Sequence, residues 1–99
     1  MIQHIVDGSA VRSRSDFYEA VAAALEFPEW FGHNLDALYD CLTDLSWLPP
    51  GEHVLVWARP DVLAQIDPAG SRAINAVLSD AVEDFTDPER AFKVVLVEP

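Results

Sequence analysis

The segment EWFGHNLDALYDCLTDLSW, from Glu29 to Trp47, combines a helical pattern with an unusual charge pattern. Its apolar residues recur at helical spacing and predict a buried stripe of Leu35, Leu38, Cys41, Leu42 and Leu45. The opposite side carries Asp36, Asp40 and Asp44, with no Lys or Arg three or four residues away. Like charges at this spacing destabilise an isolated helix by about 0.2–0.5 kcal/mol per pair. The segment therefore predicts an amphipathic helix whose acidic side serves something other than helix stability.

The residues before this helix define where it starts. Gly32 lies in the preceding turn, and Asn34 belongs to the residue types that cap helix N-termini. Pro28 disfavours helical geometry at the residue before it, so it separates this helix from an earlier one. That earlier helix is predicted to begin at Ser15 as its N-cap and to run to Leu25, because acids follow Ser15 and apolar residues recur at helical spacing.

Three short apolar runs predict strands. They are QHIV at 3–6, HVLVW at 53–57 and KVVLV at 93–97. The middle run is almost continuously apolar, which is typical of a parallel strand buried on both faces. Helical segments separate the three runs, so the strands are expected to lie parallel and to be joined by right-handed crossovers.

The second crossover is predicted to hold two helices. Pro60 and Asp61 favour a short helix that ends near Asp67 and Pro68, and Ser71 is the predicted cap of a longer one that runs to about Phe85. The element order is then β-α-α-β-α-α-β. We expect an α/β fold in which about four helices pack on a small three-stranded parallel sheet, in a single domain that spans residues 1–99.

Composition excludes several classes of protein. No apolar run approaches the roughly 20 residues that a membrane span requires. The N-terminal sequence MIQHIVDGS lacks the pattern of a secretory signal, and the single cysteine, Cys41, has no partner for an internal disulfide. These features predict a cytoplasmic protein without a membrane association and without a cofactor.

Charge is distributed unevenly along the chain. Seventeen acids and six bases give a formal net charge of -11, which makes nucleic acid an unfavourable ligand. Between Ser15 and Ala58 there is no Lys or Arg. The acids of that region are Asp16, Glu19, Glu26, Glu29, Asp36, Asp40, Asp44 and Glu52. A merely solubilising surface accounts for the total charge, but this one-sided distribution favours a basic partner.

Two long segments resemble a known family. They are GSAVRSRSDFYEAVAAAL at 8–25 and LEFPEWFGHNLDALYDCLT at 25–43, and the strands VLVW and KVVLV add to the match. The chain resembles the barstar-like ribonuclease inhibitors over nearly its whole length. The resemblance implies a barstar-like fold and an intracellular inhibitor, monomeric when free. It would block the active site of a small, basic, secreted, guanyl-specific (barnase-like) microbial ribonuclease in a 1:1 complex.

The resemblance also implies a binding face made of the second helix and the loop before it. Asp40 would occupy the phosphate site of the enzyme, Asp36 would pair with a neighbouring basic group, and Trp30 would pack on the catalytic histidine. The other matching positions are Gly32, Asn34, Tyr39, Thr43 and Asp80. The family commonly has Trp where this chain has Tyr39, and a small residue where it has Asp44. We include Asp44 in the face as a feature of this chain that bears on target preference.

The acidic side has other possible interpretations. Asp36 and Asp40 near His33 could form an acid/base pair or bind a cation. Neither a nucleophile motif, a Gly-rich loop nor a metal-ligand spacing supports an enzyme or a metal site. A third interpretation is a barstar-fold interaction module for a different basic protein, since one fold serves many functions.

Overall fold

A computed structural model, which describes residues 1–98, has the predicted order of elements. They are β1 (Ile2–Asp7), a 3-10 turn (Gly8–Ala10), α1 (Arg14–Ala24), α2 (Leu35–Asp44), β2 (Gly51–Ala58), α3 (Asp61–Ile66), α4 (Pro68–Asp84) and β3 (Arg90–Val97). The predicted α/β fold, a three-stranded parallel sheet with four helices, is confirmed. Each strand is longer than its apolar run.

The sheet has the strand order β1-β2-β3, and both pairings are parallel. Val6, Trp57 and Leu96 form one row across the sheet, and Ile5, Val56 and Val95 form the next. Rows alternate between the two faces because successive side chains of a strand point to opposite sides. The parity of a residue in its strand therefore decides which face it occupies.

Helices cover only one face of this sheet. Parallel crossovers are almost always right-handed, so two crossovers in a sheet of order 1-2-3 fall on the same side. The covered face carries Trp57, which is fully buried and lies 4.7 Å from Phe17 of α1, measured between ring centroids. On the other side Ile5 is 63% exposed and Val95 is 46% exposed. We call this side the open sheet face. It consists of the row that contains Ile5, together with every second row above and below that row in the sheet.

Only part of β2 follows the prediction of burial on both faces. Leu55 and Trp57, on the covered face, are fully buried, and Val54 on the open sheet face is 4% exposed. Val56, also on that face, is half-buried. The central position of β2 lets its neighbours shield it, whereas β1 and β3 have no outer neighbour among residues 1–98.

Two of the predicted helix caps are wrong. Helix α1 is capped by Ser13, not Ser15, because Ser13 is the residue with extended backbone, and its hydroxyl accepts a hydrogen bond from the Asp16 amide at 3.0 Å. Helix α4 is capped by Asp67, not Ser71, and its carboxylate accepts from the Gly70 amide at 2.9 Å.

The residues at the start of α4 explain the second difference. The residue after Asp67 is a proline, whose fixed φ and missing N–H suit the first position of a helix. Ser71 consequently falls inside the first turns of α4, where its amide donates to the Asp67 carbonyl. An ion pair at 2.7 Å between Arg14 and Asp67 also joins the starts of α1 and α4.

The end of β1 comes into very close contact with the end of β2. Gly8 is buried there, and a Cβ added to it would overlap the carbonyl oxygens of Ala58 and Arg59. Arg59 itself has a left-handed backbone with φ 52°, and its amide donates to the Val97 carbonyl at 3.0 Å. Only glycine fits between these backbone segments.

Candidate functional site

Helix α2 is fixed in place by its cap and by its apolar stripe. The Asn34 side chain accepts a hydrogen bond from the Ala37 amide at 2.8 Å, which confirms Asn34 as the N-cap. Leu38, Cys41 and Leu42 are all fully buried in the core. With this stripe inside, the acidic side of α2 must point to solvent.

Asp36, Asp40 and Asp44 are exposed on that outer side. Within residues 1–98, the carboxylates of Asp36 and Asp40 have no hydrogen bond and no ion pair, and the Asp44 carboxylate accepts only a 3.3 Å hydrogen bond from the Ser46 amide. The ion pairs of the chain lie elsewhere, at Arg14–Asp67, Arg59–Asp61, Arg90–Asp87, Arg90–Glu89 and Lys93–Glu52. The carboxylates of Asp36 and Asp40 thus keep their full capacity to accept hydrogen bonds from another molecule, and Asp44 keeps most of its own.

Helix α4 adds carboxylates to the same surface. The Tyr39 hydroxyl donates to Asp84 at 2.6 Å, and this bond joins α2 to α4. The hydrogen bond to Asp84 raises the pKa of Tyr39, with smaller contributions from burial and from the charges of Asp84, Asp80 and Asp40. One phenol therefore experiences acids of both helices. We call Asp36, Asp40, Asp44, Asp80 and Asp84 the acidic face.

Asp84 is a member of this face that sequence reasoning missed. Asp80 was predicted from the family pattern, and Asp84 lies four residues further along α4, on the same side of the helix. That spacing is the signal that could have identified it. Its role in the fold, as the acceptor for Tyr39, depends on how α2 and α4 pack.

Trp30 projects from the loop between α1 and α2. Its side chain is 68% exposed, whereas the next residue, Phe31, is 8% exposed. The ring of Phe31 packs on Phe27 with centroids 4.9 Å apart and on Tyr18 at 6.2 Å. Phe27 in turn packs edge-on against Trp47 at 5.9 Å. This aromatic cluster holds the loop, and Trp30 stands outside it with its indole ring in solvent.

The remaining predicted site residues support the helix and present few free groups. Asn34 uses its side-chain oxygen for the cap, and half-buried Gly32 lies in the turn before it. The Thr43 hydroxyl donates back to the Tyr39 carbonyl at 2.9 Å, which keeps it within the helix. Tyr39 is half-buried. The structure thus divides the predicted set into exposed groups, namely Trp30 and the acids, and groups that hold them.

Cys41 provides a pH-dependent test of this arrangement. Burial raises the pKa of the Cys41 thiol to about 11, and the charges of Asp40 and Asp44 act in the same direction. A thiol in an unfolded chain ionises near about pH 8.5, so between these values the unfolded state releases a proton that the native state keeps. The contribution of this thiol to the free energy of unfolding is therefore fully present below about pH 8.5 and is lost as the pH rises toward 11.

We expect urea unfolding of the wild type to show a clear loss of stability between about pH 8 and about pH 10. Cys41→Ala should show a flatter profile over the same range, although it starts from a lower stability because it leaves a small cavity. The comparison of the two proteins isolates the thiol, because both contain the same two tyrosines, which in an unfolded chain are half ionised at about pH 10. Equal slopes for the two proteins would contradict a buried thiol at this position.

The acidic face contains neither a groove nor a metal site among the described residues. A groove of about 440 Å³ lies between α4 and β3 and is lined by Leu78, Val82 and Val95 among others. No residue of α2 lines this groove, nor a second groove beside Ile5 and Val11 or a third beside Pro60 and Ser71. Within residues 1–98, no group of three or more His, Cys, Asp or Glu side chains could hold a metal ion. The acidic face is a convex helix surface.

None of the helices in residues 1–98 is both long enough and apolar enough to cross a bilayer.

Comparison with known proteins agrees with the site geometry. The family described as Barstar (barnase inhibitor) matches residues 1–97. A Bacillus subtilis (strain 168) protein named "Putative ribonuclease inhibitor YrdF" is 40% identical over 45 residues, which is 46% of this chain and 50% of that protein. The chain thus spans about half the length of this curated relative. Since the family match runs from β1 through β3, the resemblance noted in the sequence is confirmed, and the chain belongs to the Barstar (barnase inhibitor) family.

Proposed function

We propose that this protein inhibits a small, basic microbial ribonuclease by covering its active site in a 1:1 complex. The observation that carries this proposal is the acidic face, whose exposed carboxylates lie on packed helices and have no basic partner within residues 1–98. Membership of the family and the name of the relative, a ribonuclease inhibitor, support the same conclusion.

The acidic face suits a site that normally binds a polyanion. Four residues of helix advance about 6 Å along its axis, so Asp36, Asp40 and Asp44 present carboxylates at a spacing close to that of successive phosphates in a nucleic-acid strand. A ribonuclease lines its active site with Arg, Lys and His groups that bind those phosphates. Carboxylates accept charge-assisted hydrogen bonds from the same groups. In this proposal Asp40 occupies the phosphate site and Asp36 pairs with a neighbouring cation.

Rigidity strengthens this mode of binding. Leu38 and Leu42 anchor α2 in the core, and the hydrogen bond from Tyr39 to Asp84 holds the helix against α4. Side chains on such a helix lose little conformational entropy when a partner binds, so more of the interaction energy appears as affinity. Repulsion among the acids of the free helix is relieved at the same time by the cationic cleft.

Trp30 supplies the apolar part of the proposed contact. An exposed indole beside acidic groups is typical of an interface anchor, because aromatic residues dominate binding hot spots. Its neighbour Phe31 is buried, so the loop is already ordered before binding. Trp30 would pack on the catalytic histidine of the enzyme, where it would also exclude water from the carboxylate contacts.

An enzymatic role for the same face has less support. Paired catalytic carboxylates depend on environments that separate their proton affinities, usually in a pocket. Asp36 and Asp40 are both exposed on a convex helix, and His33 is exposed on the loop, with its ring 5.2 Å from that of Phe31. An inhibitor requires only that such groups be accessible and fixed.

Inhibition assays test the proposal directly. The protein is titrated into a panel of small guanyl-specific microbial ribonucleases, and the remaining cleavage of a fluorogenic RNA is measured. We expect loss of activity with an end point at one inhibitor per enzyme for at least one member. Full activity throughout the panel would contradict the ribonuclease target and favour the alternative, a barstar-fold module that binds a different basic protein.

Salt provides a further prediction about the complex. The net charge of -11 should steer the protein toward a basic cleft, and ions screen this attraction. Raising NaCl from about 50 mM to about 500 mM is expected to lower the association rate constant at least about tenfold and to change the dissociation rate constant much less. Stopped-flow measurement of both constants checks this, and an association rate insensitive to salt would argue against charge steering.

A further inference from the structure

Two histidines meet on the covered face of the sheet, away from the acidic face. His4 lies on β1 and His53 lies on β2, and their ring centroids are 5.1 Å apart. His53 is fully buried and His4 is half-buried. Neither residue belongs to the proposed binding surface, so the contact between the rings calls for an explanation of its own.

Three short contacts involve all four ring nitrogens. His4 Nδ1 lies 2.9 Å from the carbonyl oxygen of Ala24, and His53 Nε2 lies 2.7 Å from that of Pro49. Between the rings, His4 Nε2 lies 2.9 Å from His53 Nδ1. Each distance is that of a hydrogen bond, and each hydrogen bond requires one proton.

Counting donors shows that two neutral rings cannot satisfy this arrangement. A carbonyl oxygen only accepts, so the two outer nitrogens must carry N–H groups. A neutral imidazole has only one N–H, so each ring must donate that N–H to its carbonyl oxygen. His4 Nε2 and His53 Nδ1 would then face each other with lone pairs at 2.9 Å, which is repulsive. The alternative tautomer of either ring relieves this contact but places a lone pair against a carbonyl oxygen.

One additional proton removes the conflict. Placed between the rings, it makes an N–H···N hydrogen bond, and all three contacts are then satisfied by three protons. A fourth proton would place two N–H groups against each other, so the arrangement accommodates one extra proton and no more. The pair would carry a single positive charge, shared by the two rings.

The charged groups around the pair are compatible with one cation. The Ala24 carbonyl belongs to the last residue of α1, where the helix dipole is negative and favours a positive group. Beyond it, Glu26 is exposed on the loop. On the β3 side, the guanidinium of Arg90 donates to the Leu48 carbonyl at 2.9 Å, and its charge is offset by Asp87 at 3.3 Å.

The neighbouring pair on β2 and β3 is already neutralised. Glu52 precedes His53 in sequence, but its side chain points to the open sheet face and forms an ion pair with Lys93 at 3.0 Å. Within residues 1–98, neither ring contacts a carboxylate or an amino group. The extra proton is thus held by the geometry of the two rings.

We propose that His4 and His53 form a proton-binding site, in which the two rings share one proton in a hydrogen bond between His4 Nε2 and His53 Nδ1. The outer contacts of the pair reach Ala24 and Pro49, which flank the segment 25–48. That segment contains the aromatic loop and α2. The two outer hydrogen bonds hold both ends of this segment to the sheet, and the shared proton removes the repulsion between the two rings that make them. This function does not depend on the identity of any partner.

Nuclear magnetic resonance of the ¹⁵N-labelled wild-type protein tests the proposal. At about pH 7, we expect three of the four ring nitrogens to be protonated and a ¹⁵N–¹⁵N coupling to connect His4 Nε2 with His53 Nδ1 through the hydrogen bond. Two protonated nitrogens without that coupling would overturn the proposal, and so would four protonated nitrogens. This measurement needs no variant and no ribonuclease.

Substitution of one ring provides a second readout with a matched control. In His4→Leu, no ring nitrogen faces His53 Nδ1, so His53 needs only the proton that it donates to the Pro49 carbonyl. We expect the ¹⁵N spectrum of His4→Leu at about pH 7 to show one protonated ring nitrogen on His53. His33→Gln, in which the pair is intact, should show the same three protonated nitrogens in the pair as the wild type. Two protonated nitrogens on His53 in His4→Leu would contradict a proton shared between the rings.

Discussion

Asp40→Ala is expected to weaken the complex with the target ribonuclease by at least about thirtyfold, whereas Asp44→Ala should change the dissociation constant by less than about threefold. Asp40 lies at the middle of α2, exposed and without an internal partner. Removing its carboxylate would leave the cationic groups of the enzyme buried and unpaired, which costs more than the hydrogen bonds themselves. The complex of barnase with barstar is itself one of the systems from which such losses of affinity are known. Isothermal titration calorimetry with the inhibited enzyme measures both values.

The two substitutions form a matched pair. Both replace an exposed aspartate of α2 by a better helix former, so neither is expected to unfold the free protein. Asp44 occupies the last position of α2, about 6 Å beyond Asp40 along the axis, at the edge of the proposed contact. Asp40→Asn, which keeps the shape but removes the charge, should resemble Asp40→Ala. Equal small losses at both positions would contradict the role of Asp40 as a phosphate mimic.

Gly8→Ala is expected to cause the largest loss of folding stability among single methyl additions, about 3 kcal/mol. The added Cβ would overlap the carbonyl oxygens of Ala58 and Arg59, and these are backbone atoms. They cannot move freely, because Ala58 is paired with both flanking strands and Arg59 is bonded to Val97. The chain must therefore separate the ends of β1 and β2 to make room. Urea unfolding at neutral pH measures the loss.

Gly32→Ala is the control for this stability measurement. A Cβ at Gly32 would meet the Asn34 side-chain nitrogen at 3.1 Å, and a side chain on an exposed turn can shift by a few tenths of an ångström. We expect a loss of less than about 1 kcal/mol. If Gly8→Ala were as mild as Gly32→Ala, the close contact between the β1 and β2 ends would be wrong.

The order and type of the elements could be predicted from the sequence because each rests on local patterns. Apolar runs indicated three strands, and helical spacing indicated the helices between them. Caps were less predictable, since several Ser and Asp residues compete for each helix start. Ser13 and Asp67 were selected by backbone geometry, by Pro68 and by the ion pair of Asp67 with Arg14. The last of these joins residues far apart in sequence.

The site shows the same division between local and tertiary information. Periodicity was sufficient to place Asp36 and Asp40 on the exposed side of α2, and the burial of its leucines agrees. The bond from Tyr39 to Asp84 could not be predicted, because it requires the packing of α2 on α4. The His4–His53 pair likewise requires the register of β1 against β2.

The open sheet face gives the acidity of this protein a second physical consequence. Ile5, Val95 and Val97 expose apolar surface side by side on this face, the kind of surface that drives self-association. At neutral pH every molecule carries the same net charge of -11, and mutual repulsion keeps these surfaces apart. Near the isoelectric point of about 4.3 this repulsion vanishes. Acidity thus provides colloidal stability as well as attraction for a basic partner, and a variant engineered toward neutrality would lose both together.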